Sequence, residues 1–333
     1  LYKKGKIYRG VRMVNWDPEA LTALSDEGVL HKEVNSKLFH VRYKIVGTTD
    51  EWLTIATTRP ETILGDSAIC VNPNDVRYAN LHGKKAIVPI ANREVPIILD
   101  DYVDMDFGTG CLKVTPAHDL NDYNLGNKHK LEIIDIFDSK GRFNENGLHY
   151  KNKDRFEVRE EIVKELKEKK ILNKSEVYKH NVGRSERTNA IIEPKISRQW
   201  FLKMDSLAKP ALELVNSNKI NFHPSHWVKT YNHWMKNIKD WCISRQLRWG
   251  HQIPVWYGYA KDIIKDKTLN TKKDDNKKRL IEFVAQSQAE AISMAEAYYG
   301  CTVRIDDHAD EAENKVVKIW RDQDVLDTWF SSG

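Results

Sequence analysis

The sequence predicts an α+β protein whose main body is a β-barrel-like domain with flanking helices. Three observations carry that expectation. Residues 36–195 hold many short apolar runs bounded by turn chemistry, with no regular alternation of strand and helix. Residues 154–170 and about 280–299 instead carry apolar side chains at helical spacing. The 333 residues are 41% hydrophobic and 30% charged, which suits two or three packed domains with wet surfaces.

In chain order, Ile7 to Trp16 reads as a β-rich ribbon, closed by the turn chemistry of Asp17-Pro18. Leu38 to Val46 and Trp52 to Ala56 read as two strands around a Gly47-Thr48-Thr49-Asp50 turn. Residues 59–76 read as a loop and then a strand centred on Ala68-Ile69-Cys70-Val71. Ala86 to Ile90 and Val95 to Leu99 are further apolar runs, and Gly110 to Thr115 is a strand stopped by Pro116. Asp154 is placed to cap a helix on which Phe156, Ile162, Val163 and Leu166 share one face. The later helical pattern uses Leu280, Ile281, Val284, Ala291, Ile292, Ala295 and Tyr298, with Gly300 as its stop. Lys261 to Arg279 is charged and of low complexity, so a solvated connector is expected there.

Composition narrows the class. Cys70, Cys111, Cys242 and Cys301 are far apart and form no Cys-x-x-Cys pair, which argues against a zinc or disulfide framework and fits a reducing cytosol. No run approaches the roughly 18 apolar residues of a membrane span, and no signal peptide opens the chain. No membrane partner and a cytoplasmic location are therefore expected. The net charge of +5 permits an RNA partner without demanding one. Because the first residue is Leu1, the chain reads as an internal segment.

Two stretches carry the chemistry: Thr57-Thr58-Arg59-Pro60-Glu61-Thr62, and Gly108 through Tyr123. Each sets hydroxyls, cations or carboxylates on a turn beside a β-rich run, as a polar pocket on a sheet rim would. Taken alone, Thr-Thr-Arg-Pro is also the end of a strand and a turn. His118, Asp119 and Asp122 occupy one short loop with no distant partner, so no metal site is expected; His118 is expected to brace the loop. Gly108-Thr109-Gly110 is not a phosphate loop and is expected to let backbone approach a neighbour. No nucleophile elbow is present, which disfavours a covalent mechanism.

The runs TTRPETILGDSAICVNP and GTGCLKVTPAHDLNDYNLG resemble the editing signature of the valyl-tRNA synthetases, a family of class I enzymes. Leucyl enzymes are similar but usually have Asp at the place of Glu61 and lack the Lys-x-Thr before the Pro. Isoleucyl enzymes depart at Arg59 and around His118-Asp119. Three further segments agree: GKIYRGVRMVNWDP at 5–18, WCISRQLRWGHQIPVWYG at 241–258 and DQDVLDTWFSSG at 322–333. Arg248 departs from the Trp usual in the family. No His-Ile-Gly-His-type or Lys-Met-Ser-Lys-Ser-type sequence occurs.

The resemblance implies an editing region inserted by β-ribbon stems into a Rossmann-type catalytic core that this sequence does not contain. It divides the chain into a stem ribbon (1–35), an editing domain (36–195), a return stem (196–260), a charged insertion with one helix and short strands (261–320) and the start of the second half of the core (321–333). The implied activity is hydrolysis of threonyl-tRNA(Val) by direct water attack. The implied partners are the tRNA(Val) 3′ end carrying threonine and the rest of the synthetase chain. No cofactor is implied for editing; ATP and magnesium serve the absent core. The alternative is a non-catalytic module that positions the acceptor end of the tRNA.

Such a site must hold an ammonium, read a side chain, fix a ribose and aim a water. Asp119 suits the ammonium, because a carboxylate pairs with it through charge-assisted hydrogen bonds. Thr57, Thr58 and Arg59 are expected around the ester and the terminal adenosine. Thr62, Thr115 and Asp122 are expected to read the threonine hydroxyl or hold the loop, and Lys113 to bring positive charge near the ester or ribose. Asp119, Lys113, Arg59 and Thr58 are thus the catalytic candidates. Residues 196–260 interleave Arg198, Trp200, Lys203, His226, Trp227, Lys229, His233, Trp234, Lys236, Arg245 and Arg248. They read either as an RNA or domain-docking surface or as a core-facing aromatic set with solvated cations.

Overall fold

A computed structural model describes residues 1–261, 279–306 and 316–333. They form two compact units, Leu1–Cys242 and Ile243–Gly333. In the first unit the strands are β1 (Ile7–Asp17), β2 (Thr22–Leu24), β3 (Val29–Ile45), β4 (Trp52–Thr57), β5 (Ala68–Val71), β6 (Lys85–Ile87), β7 (Glu94–Leu99), β8 (Cys111–Val114), β9 (Leu172–Ser185), β10 (Glu193–Leu202) and β11 (Trp241–Cys242). The helices are α1 (Leu120–His129), α2 (Arg155–Glu168), α3 (Asp205–Asn216) and α4 (Trp227–Lys236).

The larger sheet runs β4-β3-β6-β7-β5-β8, with β9 paired to β3. Its two end strands, β4 and β8, come next to each other, so the sheet curls into a half-barrel. The reason lies in the side chains. Along β5, Ile69 and Val71 enter the main core while Ala68 and Cys70 pack on the other face beneath Leu125 of α1. A continuous apolar run is what a strand covered on both faces requires. The main core also takes Val41, Tyr43, Ile45, Leu53 and Ile55, and α2 closes it with Val158, Ile162 and Leu166. Of the face expected from the sequence, Ile162 and Leu166 lie in this stripe and Val163 packs against it, whereas Phe156 stays outside the core and Val158 takes its place. Asp154 caps the helix by accepting from Phe156 N–H at 2.8 Å.

Two ribbons leave this body. β1 pairs antiparallel with β10 from Ile7↔Leu202 to Trp16↔Glu193. β3 pairs with β9 from Val29↔Ser185 to Val41↔Leu172, with a register shift at His40/Val41. The sequence reading began β3 at Leu38 and did not mark β9. Residues 29–37 and 174–182 are mostly exposed, so they show no apolar alternation from which a strand is read.

The second unit holds β12 (Ser244–Arg245), β13 (Val255–Tyr259), β14 (Leu280–Val284), β15 (Val303–Ile305), β16 (Val317–Arg321) and β17 (Val325–Leu326), with helices α5 (Gln288–Tyr299) and α6 (Thr328–Ser332). Its main sheet runs β14-β13-β16-β15 around Trp256, Phe283, Ala291, Ala295 and Ile319. The helix expected over about 280–299 is therefore two elements. Leu280–Val284 pairs with β13, and Ser287 starts the helix by capping Glu290 N–H at 3.2 Å. Gly300 ends it in the left-handed conformation, as expected. The solvated connector expected over Lys261–Arg279 lies, at 262–278, outside the described residues.

The aromatic set of 196–260 divides. Trp200 is buried, whereas Trp227 and Trp234 on α4 are 51% and 60% exposed. Arg245 is buried against Asp327 in an ion pair. Among the described residues no helix is long and apolar enough to cross a membrane.

Candidate functional site

β4 ends at Thr57 and β8 at Val114, side by side on one rim of the curled sheet. Each strand stops for a local reason. Thr57 turns the chain by accepting Arg59 N–H on its own hydroxyl at 3.0 Å. Pro60 then opens a 3-10 turn, Pro60–Gly65, whose residues are all buried. After β8, Pro116 denies the ladder a donor, and His118 N–H folds back onto the Thr115 carbonyl at 3.0 Å. Asp119 follows as the N-cap of α1.

Beneath the rim, Lys113 and Asp66 sit at the centre of a buried polar cluster. The Lys113 ammonium donates to Thr62 Oγ1 at 2.9 Å, to Asp66 Oδ1 at 3.3 Å and to Thr115 Oγ1. Thr115 Oγ1 in turn donates to Asp66 Oδ1 at 2.7 Å, and Tyr43 donates to Asp66 Oδ2 at 2.6 Å. Three ammonium protons meet three oxygens, so the cation is fully engaged inside the protein. Burial lifts the Asp66 pKa above the usual carboxylate value even with Lys113, Tyr43 and Thr115 opposing it.

A second network clasps the rim from the side. Arg59 donates through Nε to Glu61 at 3.1 Å, through Nη1 to the His118 carbonyl at 3.2 Å and through Nη2 to Glu193 at 2.6 Å. Glu61, wholly buried, also receives both forks of Arg159 of α2, at 2.8 and 2.7 Å. Burial alone would raise Glu61; Arg159 and Arg59 overcome it and hold its pKa low. Burial likewise opposes the charge on Arg59, and Glu193 and Glu61 outweigh it. Arg155 of α2 reaches Glu193 at 3.4 Å.

The two acids of the loop have different fates. Asp119 is exposed, and its Oδ1 accepts from Asn121 N–H at 2.8 Å and Asp122 N–H at 3.0 Å. Asp122 is buried, and its Oδ2 accepts Thr115 N–H at 2.8 Å. Burial, with the nearby Asp119 charge, pushes the Asp122 pKa up to about 7. His118 is buried as well, and its Nε2 accepts Ile136 N–H at 3.1 Å, bracing the loop as expected. Burial first, then Arg59, Lys113 and Lys195, hold its pKa well below the usual value, so the ring is neutral. His118, Asp119 and Asp122 thus each accept from different backbone amides. Gly110 (φ +71) allows a close approach, as expected: an added Cβ would strike the Arg77 side chain and the Met105 carbonyl.

Of the eight candidate residues, Asp119 is exposed, Thr58 and Arg59 are half-buried, and Thr57, Thr62, Lys113, Thr115 and Asp122 are buried. All eight meet on this one rim or directly below it. The sequence reading missed Asp66, Glu193, Arg155 and Arg159, and did not use Glu61. Ile191-Ile192-Glu193-Pro194 offered a signal, because a lone carboxylate beside an apolar pair is a candidate for burial. Nothing local marked Arg155 or Arg159 within a charged helix.

A sequence profile of the tRNA synthetases class I (I, L, M and V) matches residues 1–333. The chain is similar to the valine–tRNA ligase of Christiangramia forsetii, at 54% identity over 334 residues, covering 100% of this chain and 35% of that protein. It is 51% identical over 332 residues to that of Porphyromonas gingivalis, again covering 100% of this chain and 35% of the relative. It is 48% identical over 332 residues to that of Chlorobaculum tepidum, covering 100% and 32%. The chain thus spans about a third of the length of the curated relatives it matches.

Proposed function

The chain belongs to the class I tRNA synthetases (I, L, M and V), and from that premise we propose that it is the editing region of a valine–tRNA ligase, hydrolysing threonyl-tRNA(Val). Ligation of valine with ATP is proposed for the longer protein only. In the same reading the ribbons β1/β10 and β3/β9 are stems that insert the half-barrel into a catalytic core.

A pocket shaped for valine cannot strongly reject threonine, because threonine merely exchanges a methyl for a hydroxyl; the valyl enzyme is itself the standing example of this limit. A second site built from hydroxyls and carboxylates accepts threonine and leaves valine's methyl against polar groups. The observation that supports this best is Asp119. It is an exposed carboxylate fixed by two helix amides through one oxygen, on the loop that Arg59 ties to the Thr57-Thr58 turn. Its other oxygen is proposed to take the substrate ammonium. Thr58 and Thr57 are proposed to lie along the ester and the terminal adenosine. Arg59, Lys113, Thr62, Thr115 and Asp122 are proposed to hold that rim in shape and set its polarity. Water then attacks the ester carbonyl directly, since an aminoacyl ester is reactive enough for positioning and electrostatics to serve.

The test is deacylation of threonyl-tRNA(Val) by this chain, beside valyl-tRNA(Val). Selective loss of the threonyl ester is expected. Tight binding of the acceptor end without hydrolysis would favour the alternative, a module that only positions the tRNA.

A further inference from the structure

Glu193 stands outside every motif that drew attention in the sequence, yet three elements of the site converge on it. It is 4% exposed and opens β10. Arg59 Nη2 donates to its Oε1 at 2.6 Å, Arg155 Nε lies 3.4 Å from its Oε2, and His118 Nδ1 lies 3.8 Å from Oε1. We propose that Glu193 is a positioning residue for the reaction, setting the place of Asp119 through Arg59 and His118. The kinetic part of this inference rests on the editing reading above; the geometric part does not.

Glu193 reaches the residue before Asp119 by two routes. Arg59, gripped at one fork by Glu193, gives the other fork to the His118 carbonyl at 3.2 Å. That bond fixes the peptide leading into Asp119. The second route is through the ring. His118 Nε2 accepts Ile136 N–H, so the neutral ring carries its proton on Nδ1. Among the described residues Nδ1 has no hydrogen-bond partner, although it is buried, and the carboxylate it faces is Glu193. A buried donor left unpaired is unfavourable, and a loop shift of less than an ångström would close the gap. Glu193 therefore defines where the His118–Asp119 backbone comes to rest.

Stability alone does not account for this arrangement. Buried ion networks lose much of their attraction to desolvation, and apolar packing would hold the strand as well. What the network adds is direction: planar guanidinium forks tie one carboxylate to one carbonyl in fixed geometry.

The experiment uses the whole chain with Glu193→Gln, which keeps an oxygen for Arg59 and removes the charge, and Glu193→Asp as the conservative variant. The first readout is amide hydrogen exchange at Asn121 and Asp122, whose N–H groups bond Asp119 Oδ1. Glu193→Gln is expected to speed exchange at these two amides by about tenfold while α3 is unchanged, with Glu193→Asp intermediate. Unchanged exchange at both amides overturns the proposal, whether or not the chain hydrolyses any ester. The second readout is deacylation of threonyl-tRNA(Val). Glu193→Gln is expected to lower kcat by about tenfold with little change in KM. In an Asp119→Asn background the same change is expected to cost less than about twofold, because both act on one contact. Fully additive losses overturn the proposal. If the unmodified chain does not deacylate, the editing reading fails and the exchange experiment alone decides.

Discussion

Asp119 combines two tasks that substitutions can separate. As N-cap of α1 it accepts two amides, and as an exposed carboxylate it offers charge. Asp119→Ala is expected to lose about 1 kcal/mol of stability with the cap, whereas Asp119→Asn keeps the cap. Both are expected to lower threonyl-tRNA deacylation by about tenfold to a hundredfold, since each loses a charged hydrogen-bond partner. Denaturant melts beside rate measurements check this; full activity in the Asn variant would remove Asp119 from the ammonium site. Asp122 supports a pH prediction. Its pKa is raised to about 7 in the fold, so the folded state favours the protonated acid. The sign follows from linkage: this contribution to stability is whole below the ordinary carboxylate range and is lost as pH rises through about 7. The denaturant midpoint is expected to fall over that interval and to flatten in Asp122→Asn, which still offers an oxygen to Thr115 N–H. At this scale the sequence was legible where the chemistry is local. His118 braces its own loop, as read, whereas the helix that Asp119 caps was not read. Asp66 and Glu193 were not legible, because Lys113 lies 47 residues from the first and Arg59 134 residues from the second.

The short strand β8 and the 3-10 turn Pro60–Gly65 are joined by one buried ammonium. Lys113 comes from the strand, Thr62 from the turn and Asp66 from the residue after it. Lys113→Met would leave Asp66 buried without its cation, a loss of about 3–5 kcal/mol. Adding Asp66→Asn is expected to restore part of that, because the remaining group is then neutral. Urea unfolding of the single and double variants measures both; equal stability of Lys113→Met and the native chain would show the cation to be dispensable. Elements were readable from the sequence where one face is apolar. α2 shows Ile162 and Leu166 at helical spacing, and β5 is a continuous apolar run. The β3/β9 ribbon was not readable in full because its outer half buries little. The boundary between β14 and α5 was missed because Leu280, Ile281 and Val284 also fit helical spacing, and only Ser287 marks the true start.

Each unit has hydrophobic clusters of its own. The main core, the cluster around Trp16 and Phe201 and the cluster beneath α1 all lie within Leu1–Cys242, whereas the Trp256–Phe283 cluster lies within Ile243–Gly333. A chain cut to residues 1–242 is therefore expected to melt cooperatively on its own. Circular dichroism would test it; a broad, non-cooperative melt would show that the first unit depends on what was removed. Within that unit, the β1/β10 ladder couples chain length to side-chain direction. Its register sets Trp16 opposite Glu193, and a strand reverses its faces at every residue. One residue gained or lost inside β1 would leave Trp16 and Glu193 unable to keep both their pairing and their faces. The exposed turn at Gly47–Asp50 carries no such constraint, because extra residues there change no pairing. Homologous chains should thus differ in length at the turn and hardly ever in the ribbon, a pattern that an alignment of gaps can read without any experiment.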